Sequence, residues 1–166
     1  MLLELPTADE IDDLAARTPN LTVRRYEYDL VDRKMDLDYT PCKGEAVVVA
    51  VKDGGVLLMK TKGTSLWTLP CDRIGMHETP EAAAARVAKE RCGLAVRDVE
   101  LKAFYDVTRH YQNVSVKRLF IVYSCRAEGD PDVSAAGTDV ECSIHFGDLD
   151  KLALEEMDAQ ALADSL

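Results

Sequence analysis

The alanine-rich segment Glu81–Cys92, bracketed by Thr79-Pro80 in front and Gly93 behind, constrains this chain more than any other stretch. A threonine hydroxyl accepts from a free amide of a helix's first turn, and proline at the first helical position gives up an amide that would lack a partner anyway. Glycine ends a helix in the left-handed conformation without a Cβ penalty. A helix is therefore predicted between these signals, and Ala82–Ala85 suit close packing of that helix on a sheet. Strand signals lie on both sides of it. Ala46–Val51 is a dense β-branched run, Asp53-Gly54-Gly55 is turn chemistry, and Val56–Lys60 resumes as a strand, which predicts a hairpin. Leu101–Thr108, Val114–Ala127 and Glu141–Phe146 read as further strands, 128–139 as a loop, and Leu149–Leu166 as a closing helix. Strands around a central helix with another helix at the end predict an α/β (α+β) layered sandwich.

The beginning of the chain is less regular. Thr7 and Glu10 form a capping-box pattern, and Ile11, Leu14 and Ala15 follow at helical spacing, so a helix is expected over 8–17, stopped by Thr18-Pro19-Asn20. Leu21–Leu30 has strand composition, whereas 32–40 is polar and supports no assignment. The expected division is an N-terminal extension, 1–43, packing on a domain of 44–166. A length of 166 residues leaves room for one core. The formal charge of −10 argues against a generic basic face for bulk nucleic acid or acidic lipid, although a local basic pocket is compatible with it. The five cysteines (Cys42, Cys71, Cys92, Cys125, Cys142) are odd in number, widely separated and without a C-x-x-C pair, so reduced thiols are expected. The first ten residues carry acid rather than base, and the longest apolar run is far below membrane-spanning length. The expectation is a soluble, acidic, cytoplasmic protein.

The chemistry-bearing stretch is Leu66-Trp67-Thr68-Leu69-Pro70, Ile74, Glu78-Thr79-Pro80-Glu81, Arg86, Glu90 and Gly93-Leu94. In order and spacing it resembles the Nudix box, G-x5-E-x7-R-E-U-x-E-E-x-G-U with U a bulky aliphatic residue. Without a gap, the pattern places Glu78, Arg86, Glu90, Gly93 and Leu94 in register, and the resemblance extends over roughly 44–166. It implies a Nudix-type α/β/α sandwich with a mixed central sheet. It also implies Mg²⁺- or Mn²⁺-dependent hydrolysis of phosphoanhydride bonds, as in nucleoside-diphosphate-linked pyrophosphohydrolases. The chemistry behind it is that diphosphate hydrolysis needs positive charge on the phosphate oxygens and an activated water. Hard cations take oxygen ligands, and carboxylates three and four residues apart on a helix share one face.

The sequence departs from that pattern at three positions. Asp72 replaces the first glycine, Val87 the glutamate after Arg86, and Arg91 the second of the paired glutamates, so only Glu90 of the carboxylate cage remains. A guanidinium beside Glu90 is expected to repel a divalent cation and to pair with that carboxylate. Cys71-Asp72 also stands where the family has Gly-Gly, which removes backbone freedom from the approach loop. Metal-dependent activity is thus expected to be weak or altered. The candidate catalytic residues are Glu90, Arg86 and Glu78, and the candidate metal ligands Glu90 and Glu141, with Asp72 a further acid. Arg91 and Arg73 are the candidate substrate-binding residues, clamping a phosphate in place of the cation.

Plainer readings stand beside these. Glu78 and Arg86 also read as a structural ion pair tying loop to helix, Glu90 as a surface salt bridge, and Arg91 as a solvated residue near a helix C-terminus. His77, His110 and His145 read as solvent-facing, Trp67 as partly buried core, and Glu155-Glu156 as a solvated helix face. Arg109 and Tyr111 could face a ligand. Three functions follow: a hydrolase with reduced or altered metal dependence, a non-catalytic module that binds or senses a nucleotide or small phosphorylated metabolite, and a bare scaffold within a homodimer.

Overall fold

A computed structural model describes residues 2–29, 44–132, 140–145, 147 and 149–166. The polar stretch 32–40, Cys42 and most of the loop read before Val140 lie outside these residues. In chain order the elements are α1 (Ala8–Arg17), β1 (Thr22–Asp29), β2 (Gly44–Lys52), β3 (Gly55–Thr61), β4 (Cys71–Arg73), α2 (Pro80–Cys92), β5 (Ala95–Tyr111), β6 (Val114–Glu128), β7 (Val140–His145) and α3 (Glu156–Ser165). The strands form one mixed seven-stranded sheet of order β1-β5-β6-β2-β3-β7, with β4 paired to β2 beside that path. β1–β5 and β2–β6 run parallel, the other pairs antiparallel.

The alternation of side chains along the strands builds two cores. Ala46, Val48 and Ala50 of β2 face α2 with Leu57, Phe104, Ile121 and Tyr123, against Ala83, Ala84, Val87 and Ala88 of the helix. Val47 and Val49 point the other way, joining Leu58, Tyr105, Val107 and Val122 under Ala161 and Leu162 of α3. A period of two along strands sandwiched between helices gives the α/β/α architecture read from the sequence.

The local signals at α2 act as expected. Thr79 Oγ1 accepts from Ala82 N at 3.2 Å, Pro80 opens the helix, and Gly93 closes it at φ 69°. A Cβ on Gly93 would approach Asp132 O to 2.8 Å, so the site is closed to other residues on both backbone and steric grounds. The β2–β3 turn has Asp53 at φ 52° and Gly54 at φ 82°, the two positive values of a type I′ hairpin. Only two residue pairs join β2 to β3, Val51↔Val56 and Lys52↔Gly55, before β3 splays away and β4 takes its place beside Glu45–Val47. Thr68, bonded both ways to Met59 at 2.8 Å, fills the widening gap.

Two expectations require correction. The strand expected over Leu101–Thr108 begins at Ala95, because β5 carries register shifts at Arg97/Glu100 and Leu101/Ala103, and Asp98 takes φ 54°. Such bulges break the two-residue period that marks a strand in sequence. The closing helix does not start at Leu149: a 3₁₀ turn covers Leu149–Lys151, and α3 begins at Glu156. The intervening backbone is used otherwise, since Ala153 O accepts from Trp67 N at 2.8 Å and Leu154 bridges to Trp67.

β1 anchors the far helix as well as the sheet edge. Arg24 makes two 2.8 Å bonds to Asp164 of α3, whose carboxylate also accepts from Tyr105 and Gln160. These donors, Arg24 first, hold the Asp164 carboxyl below its ordinary range. An Asp164→Ala variant is expected to lose about 1–3 kcal/mol, chiefly because it leaves the buried Tyr105 hydroxyl without its acceptor while the part-exposed Arg24 returns to solvent, and a urea titration that shows no loss would contradict this.

Candidate functional site

Loop 74–79, β4 and the exposed flank of α2 meet on Arg86. Its Nε and Nη2 bond the two oxygens of Glu78 at 2.9 and 2.8 Å, Nη2 also donates to Arg73 O at 2.6 Å, and Nη1 reaches Glu90 Oε2 at 3.0 Å. Glu78 Oε1 accepts from Gly75 N at 2.9 Å as well. A bidentate guanidinium–carboxylate pair is directional, so this network fixes where the loop closes on the helix. Arg86 first, then the Gly75 amide, holds the Glu78 carboxyl below its usual value despite partial burial. The geometry is that of a loop-to-helix clamp, the plainer of the two readings of this pair.

Arg91 does not pair with Glu90 as expected. Adjacent helical residues point about 100° apart, whereas residues four apart share a face. Glu90 accordingly goes to Arg86, and Arg91 Nη2 lies 3.4 Å from Asp72 Oδ2. Asp72 therefore sits between two guanidiniums, with Arg86 Nη1 at 3.6 Å. Val87 points away from this network and is fully buried among the residues under α2. Glu141 lies on β7 opposite Lys60 of β3, with Nζ 3.8 Å from its carboxylate.

These donors do not fit a divalent ion. Glu90 and Asp72 are both engaged by cations, and among the described residues no group of three or more His, Cys, Asp and Glu is arranged to hold a metal. Hard cations need several oxygen ligands, and guanidiniums within 4 Å of the available ones oppose their approach.

Next to the clamp a cavity of about 840 Å³ opens on the α3 face of the sheet. Arg91 and Arg109 supply its positive charge, Phe120, Met157 and Leu69 apolar wall, and Asp158 a carboxyl from the first turn of α3. Arg109 has no ion-pair partner among the described residues. Cys71 joins the wall with its thiol 4.0 Å from Glu45, and burial first, then Glu45, pushes that thiol well above its usual pKa. Glu45 in turn pairs with the buried Arg118 at 3.3 Å. Glu155 and Glu156, read as a solvated helix face, are exposed but rim the cavity.

The remaining candidates lie elsewhere. Arg73 gives its carbonyl to Arg86 while its side chain is exposed. His77 is exposed. Trp67 is half-buried, with His145 edge-on at 4.4 Å and Lys60 Nζ 4.9 Å from its ring centroid. His145 is thus packed rather than solvent-facing, and its Nε2 is 2.9 Å from Ser143 Oγ. His110 lies 2.7 Å from Ser115. Asp158, Tyr28 and the Glu45–Arg118 pair went unrecognised in the sequence because each reaches the site through tertiary packing.

Known proteins share this fold. The family model of the NUDIX domain matches residues 43–164. Similar folds occur in a MutT NUDIX hydrolase from Burkholderia pseudomallei (22% identity, covering 75% of this chain and 98% of that one, TM-score 0.57). They occur also in a NUDIX hydrolase from Nitrosomonas europaea (17% identity, 74% and 87% covered, TM-score 0.58) and a MutT protein from Bacillus halodurans (15% identity, 74% and 79% covered, TM-score 0.61). No curated protein matches the sequence. With most of its length matched, and with the loop, helix and closing glycine in the family's order, the chain belongs to the Nudix family.

Proposed function

We propose that this chain binds a small phosphorylated ligand, a nucleotide or nucleotide-linked metabolite, with guanidinium groups in the place where relatives carry metal-binding acid. One observation carries the reading: Arg91, at the position of a box glutamate, lines the cavity together with Arg109. Both can fork onto phosphate oxygens, a geometry that lysine does not offer. The same lining carries Asp29, Glu155, Glu156 and Asp158, so the two arginines are a local anion-binding feature rather than part of a general basic surface.

The test is thermal stabilisation by inorganic pyrophosphate and by ADP, with EDTA and separately with Mg²⁺. The expected result is equal stabilisation in both, with affinity weakened at least about tenfold in Arg91→Glu, which reverses a charge at the phosphate. Binding that needs Mg²⁺ and survives Arg91→Glu would overturn it. A second reading, slow hydrolysis of a phosphoanhydride bond, is favoured by Glu90, the one carboxylate kept from the box cage, which is 56% exposed on α2 while paired to Arg86. Release of phosphate products by the native chain, abolished in Glu90→Gln, would support that reading.

A further inference from the structure

Two cysteines meet where the last turn of α2 lies over the edge strand β7. Cys92 is the final residue of the helix before its closing glycine and is fully buried. On β7, Val140, Cys142 and Ile144 alternate toward the core that contains Cys92, and Cys142 stands opposite Met59 of β3. The two thiols share a hydrogen bond, and Cys142 is only partly buried. A buried cysteine by itself is ordinary core filling. Two of them in contact, on elements far apart in the sequence and with one open to solvent, form a different arrangement. Sulfurs already in hydrogen-bond contact have a short way to travel to the bonding distance of about 2 Å. The other described cysteines have oxygen rather than sulfur beside them, Cys125 the Val49 carbonyl and Cys71 the Glu45 carboxylate.

We propose that Cys142 and Cys92 form a modification site, a dithiol that a hydroperoxide oxidises to an intramolecular disulfide tying the end of α2 to β7. The partly exposed sulfur reacts first. Cys142 attacks one oxygen of the hydroperoxide, the O–O bond breaks, the other oxygen leaves as water or an alcohol, and Cys142 becomes a sulfenic acid. The Cys92 sulfur then attacks the Cys142 sulfur, the S–O bond breaks, and hydroxide leaves as water with the Cys92 proton. Two electrons pass from the two sulfurs to the O–O bond. The link falls beside the cavity, because Arg91 precedes Cys92 and Val140 lies on the strand of Cys142, and both residues belong to the cavity wall.

The experiment treats the full chain, reduced and then freed of reductant, with excess hydrogen peroxide in EDTA, followed by alkylation in denaturant and digestion with trypsin. Cleavage at arginine and lysine places Cys92 in the peptide 92–97 and Cys142 in 127–151. The expected product is these two peptides joined, lighter by two hydrogens than their sum and separated again by dithiothreitol. The oxidised chain is expected to melt roughly 5–10 °C above the reduced one, since the link closes a long loop of the unfolded chain. Cys142→Ser, at the partly exposed position, is expected to leave Cys92 a free thiol at the same dose. Cys92→Ala is expected to halt Cys142 at the sulfenic acid, which dimedone captures. Recovery of both thiols free after a dose that oxidises glutathione overturns the proposal. So does either cysteine joined to a different one or to a second chain, or a link that forms without raising the melting temperature.

Discussion

A Val87→Glu variant is expected to melt roughly 10 °C below the parent chain, although it restores the letter that the Nudix pattern carries at this position. Val87 is fully buried on the face of α2 that packs against Ala46, Val48, Phe104 and Ile121, all apolar. A carboxylate placed there must either leave water without a partner or take up a proton. Either course costs several kcal/mol, about 3–5 for an uncompensated buried charge in a core of this kind. For a chain of this length each kcal/mol moves the melting temperature by about 2–4 °C. Circular-dichroism melts at pH 7.5 check it, with Val87→Ile as the apolar control. If the glutamate variant melts within about 2 °C of the parent, position 87 has access to solvent, and the division of α2 into a core face and an outer face that carries Arg86 and Glu90 fails. The consequence for function is that a metal cage cannot be rebuilt by restoring box letters alone, because the valine is now part of the core.

That case shows where the sequence is legible and where it is not. The ends of α1 and α2 are set by contacts within a few residues, Thr7 with Glu10 and Thr79 with Ala82, and the bounds observed match those signals. The β2–β3 turn is equally local, since Asp53-Gly54 adopts the required positive φ values by its own chemistry. β4 has three residues, too few for any period to register, and is a strand only because β3 splays from β2 and leaves a vacant edge. The box motif placed Glu78, Arg86 and Glu90 on one network, but a linear pattern does not say which carboxylate a given arginine faces. Arg91 turned to Asp72, nineteen positions back, because helix geometry directs it away from its neighbour. Asp158 and Arg109 come to the cavity from α3 and β5, so nothing within their own segments marks them as members of one site.

Removing the Asp158 carboxyl, whose pKa burial raises, is expected to stabilise the protein above neutral pH. In the folded chain Asp158 retains its proton up to about pH 7, whereas in the unfolded chain it releases it near 3.8. Between those values the folded state binds more protons, so the contribution of Asp158 to stability falls as pH rises and levels off above about 7. At about 1.4 kcal/mol per pH unit, and with a discount for the side of the carboxyl that faces the open cavity, the loss is on the order of 2–4 kcal/mol. Asp158→Asn cannot ionise and escapes it. The variant is expected to match the parent near pH 4 and to exceed it by that amount at pH 8, in urea titrations repeated across the range. Glu78 and Asp164 act in the opposite direction. Their depressed values make stability fall as pH drops through their folded pKa, but both are shared by the two chains and cancel in the difference. A difference curve that is flat from pH 4 to 8 would mean that Asp158 titrates as in water.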